Sequence, residues 1–273
     1  MKTPSGKLKA KLVQIQSLTE SEKMRMLLLM RGYYNGMTEE AFASDLSKKT
    51  GVFLLRDTGS QEIQGFSTVL VQQLTLGDRS CQGVFSGDTI VAKEYWGQRA
   101  LQRSFALYMF MLKLKRPTEP LFWFLMSKGY KTYLLLANNF FIHYPRFDRP
   151  IPASIKRVMD LFYSGLFSEK YDASTGLITF SGETCRLRSG VAEITDELVR
   201  ANPRIAYFQK ANPQWTEGTE LACVAKLTWL NPLAYLMKTW VKNPARRVWI
   251  AVMELGRSIG LLESRNKAGK ETL

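Results

Sequence analysis

The sequence contains one histidine, and histidine is the residue type best suited to moving protons near neutral pH. This residue, His143, lies in the aromatic stretch FFIHYPR. A lone histidine among aromatic residues is more often a structural side chain, so His143 is a candidate for both roles.

Several other kinds of site need patterns that this sequence lacks. The cysteines Cys81, Cys185 and Cys223 are too far apart to suggest a metal knuckle or a redox pair, and buried free thiols are expected. The sequence has no Walker loop, no GxGxxG motif and no GxSxG nucleophile motif. We therefore expect no metal site, no nucleotide-driven reaction and no serine hydrolase.

A more specific signal is the stretch GDTIVAKEYWGQRALQR, residues 87–103, which reads as a strand, a turn and the start of a basic helix. The N-terminus of a helix presents unpaired amides and the positive end of its dipole, so such a turn can hold a phosphate. An ordinary connection between a strand and a helix is the alternative interpretation.

The charge balance favours an anionic partner. The chain carries 38 Lys and Arg against 24 Asp and Glu, a net charge of +14. Phosphate-bearing cosubstrates, acidic carrier proteins, anionic membranes and nucleic acids would all be attracted. Nucleic acid is the least favoured, because the aromatic residues lie in apolar runs and not among exposed Arg and Lys.

The ends and the apolar runs suggest a cytoplasmic protein. The N-terminal residues MKTPSGKLKAKLVQIQ contain no apolar core of a signal peptide, and charged residues interrupt every apolar run before it reaches membrane-spanning length. Residues 231–260 form a basic, Trp-containing amphipathic segment that suits either the core or an anionic membrane surface.

Periodicity predicts an α/β (α+β) fold with a mixed, mostly antiparallel sheet flanked by helices. The predicted order is a strand, two helices opened by Thr19 and Thr38, three antiparallel strands, a long helix, a buried strand and another helix. The segment RFDRPIP suggests a boundary, which divides the chain into a core at 1–150 and an extension at 151–273.

This order resembles the GNAT (Gcn5-related N-acetyltransferase) superfamily over the first 145 residues or so. The run VAKEYWGQRAL, residues 91–101, is similar to the family's acyl-CoA motif at Val91, Glu94, Tyr95 and Gly97. The family has an Arg where this chain has Trp96, and glycines where it has Arg99 and Leu101.

The resemblance implies an acyltransferase with acyl-CoA or acyl carrier protein as cosubstrate and no tightly bound cofactor. It implies a donor site at Val91, Gly97, Gln98, Arg99, Ala100, Leu101, Gln102 and Arg103. Arg99 and Arg103 are expected to replace the missing glycines as phosphate ligands.

The reaction that the resemblance implies needs a base for the attacking ammonium and an acid for the leaving thiolate. Asp88, on the fourth strand, is the carboxylate expected nearest to the thioester, and Tyr133 lies in the region of the family's acid. His143 is a further catalytic candidate. Each of the three is also a plausible structural residue.

The apolar runs around the implied site suggest the substrate. FALYMFMLKL, LFWFLM and YLLLANNFFI would line a pocket for a medium or long acyl chain. The acceptor would be an amine of an amino acid, a metabolite or a peptide side chain, which includes peptide lipidation. A noncatalytic binding module of the same fold and a basic nucleic-acid or membrane-surface binder are the competing functions.

Overall fold

The structure is a computed structural model, and it describes residues 6–34, 37–180 and 193–231. The chain forms two compact units, Met1–Thr228 and Trp229–Leu273. Within the second unit only residues 229–231 are described. Cys185 and all but the first residue of the predicted amphipathic segment 231–260 therefore lie outside the described residues.

The described strands form one nine-stranded sheet. They are β1 (Leu8–Gln14), β2 (Gly51–Asp57), β3 (Ile63–Leu76), β4 (Arg79–Val91), β5 (Leu121–Ser127), β6 (Ile142–Tyr144), β7 (Tyr171–Asp172), β8 (Leu177–Ile178) and β9 (Glu220–Leu227). Their spatial order is β1-β2-β3-β4-β5-β9-β8-β7, and β6 also pairs with β9. The β4–β5 pair is parallel and the other pairs are antiparallel, which confirms the predicted mixed, mostly antiparallel sheet.

Helices cover both faces of this sheet. They are α1 (Glu20–Arg31), α2 (Glu39–Ser47), α3 (Ala100–Lys115), α4 (Tyr130–Asn139), α5 (Ala153–Leu166), α6 (Asp196–Ala201) and α7 (Pro203–Ala211). Among the described residues, no helix is both long and apolar enough to cross a membrane.

The alternating direction of the side chains along each strand shows which helices cover the same face of the sheet. In β2, Phe53 packs in the core under α3 and α4, whereas its neighbour Val52 packs under α1 and α2. In β5, Trp123 packs in the first of these cores, whereas Phe124 packs under α5. Because adjacent strand residues point to opposite faces, α1, α2 and α5 cover one face, and α3, α4 and α7 cover the other. We call these the α1 face and the α3 face.

Local sequence signals explain several element boundaries. Thr19 and Glu22 form the predicted capping box at the start of α1, and Thr38 accepts a hydrogen bond from the Ala41 amide at the start of α2. Gly77, with a φ of 60°, makes the turn between β3 and β4.

A glycine that follows a helix often marks its C-terminal end, but Gly51 does not have this role. Helix α2 ends at Ser47, and Gly51 is the first residue of β2. A Cβ at this position would lie 2.9 Å from the Val13 carbonyl oxygen of β1, so glycine permits the close approach of the two strands.

The elements from β1 to α4 follow the order that the resemblance implies, so the fold is GNAT-like. The chain after residue 150 contributes β7, β8 and β9 to the same sheet, and β9 pairs with β5 along residues 221–227. The strands β4 and β5 therefore lie in the middle of the sheet.

Candidate functional site

The two central strands β4 and β5 separate before either strand ends. Their parallel pairing runs from Gln82–Leu121 to Ser86–Leu125, whereas β4 continues to Val91 and β5 to Ser127. At that point β4 has a bulge, because Ser86 pairs with Val69 and Thr89 pairs with Ser67, so that Gly87 and Asp88 both lie opposite Thr68. A bulge bends its strand and ends regular pairing, and the result here is a wedge between β4 and β5.

The bulge requires glycine at position 87 because two side chains crowd it. A Cβ on Gly87 would lie 2.5 Å from the Thr68 hydroxyl oxygen and 3.3 Å from Cε of Lys49. Thr68 is only 2% exposed, and its hydroxyl has no hydrogen-bond partner in the part of the chain that the structure describes. A buried polar group and an ammonium thus approach the backbone of β4 at the mouth of the wedge.

Asp88 is half-buried beside the bulge and faces other charged side chains. Burial and, next, the charge and hydrogen bond of the nearby Asp45 raise the pKa of Asp88, which reaches about 6 with all its neighbours included. Lys49 acts in the opposite direction, and Glu220 adds a smaller upward effect on this pKa. The carboxyl of Asp88 therefore changes its charge close to neutral pH, unlike an ordinary aspartate.

Lys49 is the buried cation of this group. Its Nζ lies 2.8 Å from Oδ1 of Asp45, and its side chain is only 7% exposed. The same ammonium lies 5.7 Å from the ring centre of Phe85, which belongs to the core under α5. Lys49 therefore fixes the position of the Asp45 carboxylate next to Asp88.

A second ion pair closes the group on the side of β9. Lys128, just after β5, lies 3.3 Å from Glu220, the first residue of β9. Burial raises the pKa of Glu220, and Lys128 opposes this shift. We call Asp45, Lys49, Asp88, Lys128 and Glu220 the charged cluster. It lies on the α1 face at the mouth of the wedge. In the described part of the chain, no set of three His, Cys, Asp or Glu side chains is placed to hold a metal ion.

The predicted donor-binding turn lies where β4 meets α3. Val91 ends β4, Gly97 has a φ of 89°, and Arg99 is the N-cap residue of α3, which begins at Ala100. The first turn of α3 contains no acidic residue. Arg103 and Arg99 are exposed, and neither forms an ion pair with another described residue.

Arg99 and Leu101, which stand where the resembled family has glycines, do not close this turn. Leu101 packs its side chain into the core of the α3 face, while Gln102 is exposed. Gln98 has a structural role, because its Oε1 accepts a hydrogen bond of 2.7 Å from the Leu8 amide. The carbonyl oxygen of Val91 accepts hydrogen bonds from the indole of Trp96 and the hydroxyl of Tyr33. The amides that begin α3 keep their outward direction, since an α-helix cannot satisfy its first N–H groups internally.

His143 lies on the opposite face from Asp88. It pairs with Ala225 of β9, and its neighbours Ile142 and Tyr144 pack on the α1 face, so its own side chain points to the α3 face. The side chain is 4% exposed, and Nδ1 lies 2.8 Å from the Phe140 carbonyl oxygen. Burial lowers the pKa of His143, and the nearby Arg146 and Arg204 add to this shift.

Tyr133 is fully enclosed in the core of the α3 face. Its hydroxyl donates a hydrogen bond of 3.1 Å to the Pro145 carbonyl, and its ring packs against Tyr207 and Phe208. Burial raises the pKa of Tyr133. Of the three predicted catalytic residues, the structure thus places only Asp88 at the mouth of the wedge.

Sequence reasoning missed the partners of Asp88. Asp45 and Lys49 have the i, i+4 spacing of a helical ion pair, and this spacing can be recognised in the sequence. Nothing in the sequence indicated that this pair would pack on β4, or that Glu220 and Lys128 would meet beside it.

A cavity of about 440 Å³ lies elsewhere, at the edge of β9. Met159 of α5, Gly176 of the turn between β7 and β8, and Tyr207 of α7 are among its lining residues. This cavity is separate from the wedge between β4 and β5.

No protein-family model matches the sequence, and no curated protein matches it. Similar solved structures include a GNAT family N-acetyltransferase from Escherichia coli in complex with CoA, at 13% identity over 47% of this chain and 67% of that chain, with a TM-score of 0.33. A conserved Enterococcus faecalis protein, described as a probable N-acyltransferase, matches at 14% identity over 48% of this chain and 31% of its own, with a TM-score of 0.37.

A third match is a GCN5-related N-acetyltransferase from Kribbella flavida, at 16% identity over 50% of this chain, with a TM-score of 0.34. The match spans only about a third of the Kribbella and Enterococcus chains, at 34% and 31%. The printed activities belong to those proteins, and the fold of this chain is established by its own strand order and pairing.

Proposed function

We propose that this protein transfers an acyl group from a CoA thioester to an amine. The observation that carries the proposal is the wedge between β4 and β5. The start of α3 lies on one side of it and the titratable Asp88 on the other. A thioester held in the wedge is then open to an amine that arrives from the α1 face.

The donor's phosphates bind at the start of α3. The amides of Ala100, Leu101 and Gln102 point out of the helix, and the helix dipole favours a pyrophosphate there. Arg99 and Arg103 are exposed on this turn and free of ion pairs to described residues, so they supply the charge. Beyond Ser86, the edge of β4 that turns away from β3 pairs with no described strand, so an extended pantetheine arm can lie along it.

The acceptor amine enters at the charged cluster as an ammonium. The negative charge of the Asp88 carboxylate attracts it. Asp88 then takes one proton from the ammonium, and the neutral nitrogen attacks the thioester carbonyl. The C–S bond breaks, the CoA thiolate takes a proton from water, and the amide nitrogen loses its remaining extra proton to solvent. A carboxylate with a pKa near 6 is a better base for this step than an ordinary aspartate.

A medium or long acyl chain, on CoA or on an acyl carrier protein, is part of the same proposal. Three aromatic rings line the α3 face beside the wedge: Trp123 lies 5.2 Å from Phe105 and 5.1 Å from Phe140 between ring centres. The Trp123 indole also donates to Ser86 at 2.9 Å, at the point where β4 and β5 separate. These rings suit an apolar chain, and an acidic carrier protein would suit the exposed Arg99 and Arg103. The acceptor class, whether amino acid, metabolite or peptide side chain, follows from which amine reaches the charged cluster.

The proposal is tested by titrating the protein with CoA, acetyl-CoA and longer acyl-CoAs, and by measuring thiol release with a panel of amines. We expect binding, and thiol release that depends on the amine. Arg99→Ala with Arg103→Ala should weaken donor binding by roughly 1 to 3 kcal/mol per residue. Lys48→Ala with Lys210→Ala, at exposed positions just after α2 and near the end of α7 that form no ion pair with a described residue, is the charge-matched control. A protein that binds no donor, or binds one equally well without the two arginines, would refute this donor site. Binding without thiol release from any amine would instead indicate a noncatalytic module.

A further inference from the structure

Helix α3 has a second apolar side that points away from the core. Its inward residues, such as Phe105 and Leu112, pack on the sheet. On the outward side, Leu107, Met111 and Leu114 are 62%, 47% and 48% exposed. Residues four and three apart lie on one side of a helix, so these three side chains form one stripe. A helix at the surface of a globular protein normally presents polar residues there.

Strand β1 extends this apolar stripe. Ser104 donates a hydrogen bond to the Ala10 carbonyl, so this flank of α3 lies against β1. Leu12 points to the same face of β1 as Ala10 and is 36% exposed. Met111 lies two turns beyond Ser104 on the same flank, so it extends toward Leu12. The exposed apolar area therefore spans two elements and is wider than a single stray side chain.

All charged side chains that α3 contributes around this area are positive. The helix sequence, ALQRSFALYMFMLKLK, contains no Asp or Glu. Arg103 lies one turn before Leu107, and Lys115 follows Leu114; both are exposed, and neither forms an ion pair with a described residue. The whole chain adds a net charge of +14. The surface is thus apolar in its middle and basic at its ends.

We propose that this surface, formed by Leu12, Arg103, Leu107, Met111, Leu114 and Lys115, docks the protein on an anionic lipid bilayer. Aliphatic and Met side chains on a convex helix insert into the interface between headgroups and acyl chains, and the flanking Arg and Lys contact anionic headgroups. A protein partner would have to supply a matching groove, whereas a bilayer deforms around a convex face. This docking goes beyond the proposed acyl transfer. Arg103 is the one residue that the two proposals share, and the variants of the test leave it unchanged.

The test is sedimentation of the full-length chain with phosphatidylcholine vesicles that contain or lack phosphatidylserine. We expect binding to the anionic vesicles, weaker binding to the neutral ones, and release by added salt, which screens the charges. Leu107→Glu with Met111→Glu should lower binding roughly tenfold or more. Lys115→Glu should lower it less and only on anionic vesicles.

Leu28→Glu with Leu161→Glu is the matched control, because these residues are 52% and 40% exposed on helices of the α1 face. This variant carries the same change of charge as Leu107→Glu with Met111→Glu. It should bind like the wild type, apart from the repulsion between the two added carboxylates and the anionic lipid. Circular dichroism confirms folding of each variant, and Leu107→Ser with Met111→Ser is a milder form of the same test.

The proposal is overturned if the wild type does not bind anionic vesicles, or if both double Glu variants lose binding equally. It is also overturned if light scattering shows that the stripe joins two copies of the chain in solution instead. None of these measurements needs a donor or an acceptor, so their failure is distinct from failure of the proposed activity.

Discussion

Asp88 and Tyr133 are both titratable side chains with a raised pKa, but they lie on opposite faces of the sheet and are held in different ways. Tyr133 is fully buried, and its one polar atom donates to the Pro145 carbonyl. Asp88 is half-buried, and its neighbours are the charged groups of Asp45, Lys49 and Glu220. A backbone carbonyl fixes a single protonation state, whereas a set of titratable neighbours leaves two states close in free energy. We therefore propose that Asp88 transfers the proton and that Tyr133 has a structural role.

The largest expected effect comes from Asp88→Asn, which keeps the size and the hydrogen-bonding capacity of the side chain but removes the base. Turnover should fall by about 100- to 10,000-fold, the usual contribution of a general base. Donor affinity should stay unchanged, because Asp88 lies on the other side of the wedge from the start of α3. Thiol release and donor titration measure the two quantities. A variant that keeps full turnover would end the distinction drawn between the two side chains.

Lys49→Met should change the pH dependence of the reaction. Lys49 lowers the pKa of Asp88, so its removal raises that pKa above about 6. The acidic limb of the rate profile then moves to higher pH, and the rate near neutral pH falls. Lys48→Met changes the charge by the same amount at a neighbouring exposed residue and should leave the profile in place. An unchanged profile for Lys49→Met would show that the ammonium does not act on Asp88.

Asp88→Asn should also make the protein more stable at alkaline pH. The pKa of Asp88 is raised to about 6 in the folded state, against about 3.9 for an unfolded chain. The stability that the protonated Asp88 contributes to the folded state is thus fully present below a pH of about 4, and it is lost as the pH rises through about 6. At pH 8 the ionised Asp88 costs stability, so the Asn variant should gain on the order of 1 to 2 kcal/mol.

Urea denaturation at pH 8 and at pH 4 measures this difference, and the gain should disappear at the lower pH. The contrasting result is a variant that is less stable than the wild type at both values. That outcome would mean that Asp88 is held as a structural carboxylate.

The smallest effect is expected for Tyr133→Phe. It removes one hydrogen bond to a backbone carbonyl and should lower the free energy of unfolding by about 1 kcal/mol. Turnover should change by less than about twofold if the hydroxyl takes no part in proton transfer. A large loss of turnover with unchanged stability would restore Tyr133 as the acid.

Local signals in the sequence predicted much of the sheet. The Thr19–Glu22 capping box, the turn at Gly77 and the apolar run that forms β5 all depend on residues close in sequence. The helix that follows β4 was predicted for the same reason.

The candidate site was predictable only in part. Asp88 and the start of α3 belong to one continuous stretch, and a family resemblance pointed to both. The pairing of β9 with β5 brings Glu220 to the charged cluster from more than a hundred residues away, and packing of α2 brings Lys49 to Gly87. Contacts of this kind depend on the tertiary arrangement, and no local periodicity encodes them.

The pH dependence of amine-stimulated thiol release tests the central claim most directly. With Asp88 as the base, the rate should rise with pH along a limb whose midpoint is near the pKa of about 6 assigned to this carboxyl. The limb should be absent in Asp88→Asn, whose residual rate depends only on the amine. A wild-type limb that persists unchanged in the variant would contradict the account and assign proton transfer to another group.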